Sequence, residues 1–132
     1  MSTKLLTLML GLLMAGCSSN ANTVWRLDQT SSSGRYQATL TCATPPIVMA
    51  FQDCTLTLTS PQALPSDLLI AVDGGMPAHG HGLPTAPQAV PTHNPGEFRI
   101  DGLKYSMLGE WILGFLLHSA ASDDKIVFRF TL

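Results

Sequence analysis

The chain has 132 residues, enough for one domain of ordinary size and too few for a multidomain enzyme. Seven Lys and Arg stand against nine Asp and Glu, a net charge of −2, so no basic surface is expected to meet a phosphate backbone and no nucleic-acid partner is expected. Two glutamates and three lysines are too few to solvate long helices, whereas Thr, Pro and Gly abound, as in chains of short strands and turns.

Residues 1–16 read as a lipoprotein signal peptide. One cation, Lys4, precedes an apolar run from Leu5 to Ala15. As a helix that run would cover about 16 Å, roughly half a bilayer core, which is a leader and not a span. It ends in Leu13-Met14-Ala15-Gly16-Cys17, which resembles a lipobox, with Met14 where Leu is usual. Small residues before Cys17 admit a signal peptidase, and its thiol takes the lipid. The expected address is therefore the cell envelope, with a membrane partner through Cys17. Ser18 and Ser19 carry no Asp-type retention signal, so in a Gram-negative cell the periplasmic face of the outer membrane is favoured. Residues 17–33 are polar apart from Trp25 and read as the lipidated cysteine and a flexible tether, although Trp25 equally suits a short edge strand docked on the domain.

Residues 34–132 read as the folded domain. From Tyr36 the chain alternates with period two, Tyr36, Ala38, Leu40 and Cys42 on one side and Gln37, Thr39 and Thr41 on the other. The pattern resumes at Cys54, Leu56 and Leu58. Antiparallel pairing of Cys42 with Cys54 sets Leu40 against Leu56 and Ala38 against Leu58, so one register satisfies both the thiols and the apolar face. With Cys17 lipidated, two thiols remain in an oxidising compartment, and a Cys42–Cys54 disulfide follows. Another strand is expected from Asp67 to Asp73, ending where Gly74-Gly75 permits a bulge or turn. Five prolines between Pro77 and Pro95 make that stretch a loop or an irregular edge strand. Asp101-Gly102 is a preferred hairpin turn, pairing Glu97–Ile100 with Leu103–Met107 so that Ile100 faces Leu103 and Phe98 faces Tyr105. Trp111, Leu113, Phe115 and Leu117 form one more apolar face, and Ile126, Phe128, Phe130 and Leu132 the last. The fold expected is all-β, an immunoglobulin-like β-sandwich of about seven antiparallel strands with Trp111 between its layers.

The chemistry concentrates in the loop after Gly75. No nucleophile elbow, zinc-protease helix, phosphate loop or free cysteine with a histidine partner occurs, so an enzyme is not expected. His79 and His81 flank Gly80, and in extended chain such i, i+2 residues share a face about 6.5 Å apart, close enough for two imidazoles to clamp one ion. Imidazole with thioether suits copper, Met76 and Met107 being the nominated thioethers, while His93 or His118 would complete a Zn(II) or Cu(II) site. The plain alternative is a tight loop whose histidines bond backbone carbonyls, with Met107 packed in the core beside Leu103 and Tyr105. A metal protein should gather His79, His81 and a third ligand at an open position. A metal-free interaction module, meeting an envelope component through residues 76–85, should splay the histidines or tie them to backbone.

Two stretches together resemble the YtkA-like domain family, related in pattern to FixH-type proteins. They are Gly74-Gly75-Met76-Pro77-Ala78-His79-Gly80-His81 and Gly96-Glu97-Phe98 followed by Gly102 to Trp111, which match an M-P-x-H, then G-x-Y/F, then M-x-G-x-W order. The resemblance covers about residues 35–120. It implies a small extracytoplasmic sandwich linked to copper handling, hence copper as the cofactor and a copper-recipient or other envelope protein as the partner. Cys42 and Cys54 depart from the family pattern, and methionine is scarcer than in copper-handling members.

Overall fold

The computed structural model describes residues 24–132, so the leader and Cys17 lie outside the described residues. Alternation dictates the first hairpin. In β2 (Gln37–Cys42) and β3 (Cys54–Thr59) the apolar residues Ala38, Leu40, Cys42, Cys54, Leu56 and Leu58 are buried while the threonines face outward. The register is the expected one, Cys42 opposite Cys54 and Leu40 opposite Leu56, and the two cysteines form a disulfide across a Cα separation of 4.1 Å.

β1 (Trp25–Thr30) pairs along the outer side of β2, Trp25 opposite Cys42. Residues 25–30 are thus a strand and not tether, and the fold begins nine residues before the expected boundary at 34. The polar composition misleads because only Trp25 and Leu27 turn inward. Trp25 sets its ring edge-on to Phe130 at 5.2 Å, while Arg26 and Asp28 pair on the solvent side.

β4 (Leu69–Met76) does not stop at Gly74 but runs through both glycines, followed by a single 3-10 turn at Pro77–His79 and a two-residue strand β5 (His81–Gly82). β6 (Gln88–Pro91) falls within the proline-rich stretch. β7 (Glu97–Asp101) corrects the expected hairpin: β3 pairs on one edge and β6 on the other, leaving no edge for residues 103–107. Those residues form a loop instead, with Leu103 and Tyr105 still driven into the core by their apolar surface. The loop lies against residues 43–53, where the Met49 amide donates to the Tyr105 carbonyl (2.8 Å) and the Gln52 amide to that of Leu103 (2.9 Å). β8 (Glu110–His118) and β9 (Asp123–Thr131) make the longest hairpin, burying Trp111, Leu113, Phe115, Leu117, Ile126 and Phe128.

The all-β antiparallel fold is as expected, with nine strands among the described residues in place of about seven. They form one continuous ladder in the order β1-β2-β3-β7-β6-β4-β8-β9, with β5 on β4. Its two terminal strands approach each other, through Trp25 on Phe130 and through the Ser32 amide bonded to the Lys125 carbonyl (2.8 Å), so the sheet curls round one core. Pairing also defines an entry end. Trp25 sits opposite Cys42, Cys42 opposite Cys54, and Cys54 opposite Ile100. Trp25 meets Phe130, which pairs with Trp111, and Gly75 pairs with Ile112 beside it. The start of β1, the disulfide, the start of β8 and the end of β4 therefore lie together.

Candidate functional site

The His-bearing loop exists because β4 carries glycine where two chains press on it. β8 pairs Gly75 with Ile112 on one edge, and β5 pairs Gly75 with Gly82 and Met76 with His81 on the other. A Cβ on Gly75 would lie 2.3 Å from the His81 carbonyl oxygen, so a side chain there would push the returning chain away. Pro77 has no N–H to continue the ladder. The chain turns through Pro77–His79 and closes on Gly80, which takes a left-handed conformation (φ 67°) and donates its amide to the Met76 carbonyl at 3.0 Å.

This turn brings the two histidines side by side. Both are exposed, their ring centroids 5.9 Å apart and their planes inclined by 35°. Two imidazoles sharing one ion at nitrogen–metal distances of about 2.0 Å have centroids roughly 4.5–6.3 Å apart, depending on the angle at the metal. The observed spacing falls in that range. His81 Nδ1 lies 3.0 Å from the Gly82 carbonyl oxygen. A carbonyl only accepts, so Nδ1 carries a proton, and in the neutral ring the lone pair then falls on Nε2, the arrangement found in metal-ligating histidines. The His81 ring also stands edge-on to Trp111 at 6.1 Å. Met76 is buried with its methyl end against Gly109, and it lines a shallow cleft together with His81, Asp73 and Ile112. The Asp73 carboxylate accepts from the Gly74 amide at 2.7 Å.

Of the residues nominated from sequence, His79 and His81 come side by side. Met76 adjoins them in the chain, but its side chain is buried. Met107 lies on the loop before β8, where its carbonyl accepts the Trp111 indole N–H at 3.0 Å. Its side chain is 39 % exposed, so the expected core packing beside Leu103 and Tyr105 is not met: residues 103–107 are no strand, and the alternation lapses after Tyr105. His93 and His118 sit at the far end of the sheet, His93 beyond Pro91 opposite Phe98 and His118 opposite Leu69, so neither completes a site with His79 and His81. His118 is held instead by the Asp123 carboxylate. Among the described residues no three His, Cys, Asp or Glu side chains gather round one point, so no third ligand of those types joins His79 and His81, and the His81 contact with the Gly82 carbonyl is the backbone tie expected of an interaction module. The neighbour that sequence reasoning missed is Trp111. Alternation places it correctly in the core, but only its position at the strand end reveals that its ring reaches His81.

Comparison with protein-family models, curated proteins and solved structures finds no match to this chain.

Proposed function

We propose that the protein is a lipid-anchored component of the cell envelope that binds copper on the His79–His81 turn and hands it to a recipient protein. The observation that carries this reading is the pair of adjacent, exposed imidazoles, 5.9 Å apart. Further support comes from the lipobox-like residues at Cys17, from a disulfide suited to an oxidising compartment, and from a motif order that resembles that of the YtkA-like family. Two imidazoles on an exposed turn make an open site, bound weakly enough to release its ion. A thioether from the exposed Met107 side chain would tilt the preference toward Cu(I), whereas Met76 is buried against Gly109.

Copper titration of the purified protein tests this. The parent should bind one equivalent, and His79→Ala/His81→Ala should lose that binding while its thermal transition stays nearly unchanged, because both side chains are exposed. Parent-like copper binding by the double variant would overturn the assignment. One observation favours a second reading, a metal-free interaction module using residues 76–85: His81 is tied to backbone at Gly82 and braced by Trp111, as a fixed contact surface would be. On that reading a partner binds equally well with copper chelated.

A further inference from the structure

Most of the exposed large apolar side chains among the described residues stand at the entry end, Leu69 and Leu116 toward the other. Ile47, Met49 and Phe51 stand on the loop closed by the disulfide, 58 %, 63 % and 69 % exposed, and Leu108, 71 % exposed, stands on the loop before β8. Solvent should disfavour such a display unless something covers it. The loop is also held in place. Gln52 grips it from within, its side-chain amide donating to the carbonyls of Ile47 and Ala50 (both 2.7 Å) and its carbonyl accepting from the Ile47 amide (3.1 Å). Phe51 bridges in β fashion to Lys104, whose ammonium lies 5.3 Å from the Phe51 ring. The loop thus presents three apolar side chains with one cation beside Phe51, a combination that suits the boundary between acyl chains and phosphate headgroups.

The chain's own path identifies the occupant. Val24 opens the described fold at this same end, Trp25 facing Cys42 and Cys42 facing Cys54. Cys17 precedes Val24 by seven residues, which span at most about 25 Å however they are arranged. β8 has nine residues and runs about 27 Å, so the far end of the sheet lies about that much farther from Val24, where the described chain begins. We infer that the loop of residues 43–53 is a second membrane contact: it docks Ile47, Met49 and Phe51 into the lipid surface that holds the acylated Cys17. This rests on the lipid-anchor reading and not on the copper reading, although the His79–His81 turn stands at the same end and would lie near the lipid surface too.

The test uses the full mature protein carrying one added cysteine, Met49→Cys or, at the opposite end in the β8–β9 turn, Ala121→Cys. Each is labelled with an environment-sensitive fluorophore after the Cys42–Cys54 disulfide and the acyl group on Cys17 are verified by mass. The proteins are reconstituted in vesicles of phosphatidylethanolamine with phosphatidylglycerol, with and without nitroxide-bearing lipid. Docking predicts a blue shift and loss of emission to the lipid nitroxide for the label at position 49, and neither for the label at 121. A second protein adds Ile47→Ser and Phe51→Ser to the labelled position 49, and the quenching should fall. An acylated protein whose position 49 stays water-exposed, or is quenched no more than position 121, overturns the docking alone. A mature protein without the acyl mass removes the anchor and the docking together.

Discussion

Tyr105 shows how one residue in this core works against itself. Its ring is wholly buried, edge-on to Trp111 at 5.0 Å and to Phe130 at 5.6 Å, and contributes apolar burial to the entry end of the sheet. Its hydroxyl goes in with the ring and finds no hydrogen-bond partner among the described residues. Burial pushes the phenol above its usual ionisation range. An unpartnered buried hydroxyl costs about 1–3 kcal/mol, while removing it leaves the ring contacts intact. Tyr105→Phe should therefore raise stability by about 1 kcal/mol in urea unfolding. A loss of stability instead would mean that the hydroxyl has a partner after all.

Among the elements, the β2–β3 hairpin was legible in the sequence to the last register pair, and β7 was not. In β2 and β3, thiols and alternation are independent signals that agree on one register, and a slip by one residue would expose Leu40 and Leu56. Asp101-Gly102 also signalled a turn, and Gly102 does adopt a positive φ of 79°. What the local pattern lacks is any record that β7 already has neighbours on both edges, since these come from residues 54–57 and 88–91. The site divides the same way. Spacing alone put His79 and His81 close together, but on one face of an extended segment and not across a 3-10 turn as found, whereas the exposure of Met107 and the reach of Trp111 to His81 depend on how a strandless loop settles. The hairpin's disulfide closes a loop with a sequence separation of 12, which in the chain-entropy model stabilises by about 3 kcal/mol. Cys42→Ala/Cys54→Ala should lower the unfolding free energy by about that amount in a denaturant titration, with the loop of residues 43–53 the first to lose amide protection.

For the molecule as a whole, the seam where the curled sheet meets itself is held partly by carboxylates. Burial raises the Asp124 carboxyl, but hydrogen bonds from Ser33, Ser31 and the amides of Lys125 and Ser33 outweigh it, leaving the group below its ordinary value. These bonds tie the β1–β2 turn to the start of β9. Asp28 and Asp101 are also lowered, first by hydrogen bonds from Arg26 and Arg99 respectively, but both pairs are exposed and their contribution is screened. A carboxyl lowered by folding stabilises fully above its unfolded value, near pH 4, and loses that contribution as pH falls through the folded value. Tm should accordingly drop on acidification below about pH 4. Asp124→Asn should flatten that drop more than Asp28→Asn, as thermal unfolding across a pH series will show.

The single continuous ladder has a kinetic side. The β1–β2, β2–β3 and β8–β9 pairings join neighbours in sequence, yet the ladder closes only when Cys54 finds Ile100 and Leu69 finds His118. Loop closure over such separations places folding in the slow range of all-β chains, about milliseconds to seconds. Until β7 slots between β3 and β6, both strands keep an unpaired edge open to any other chain. Newly made copies are most vulnerable to one another in that interval, and a low local concentration of unfolded chains protects them better than added stability of the finished domain.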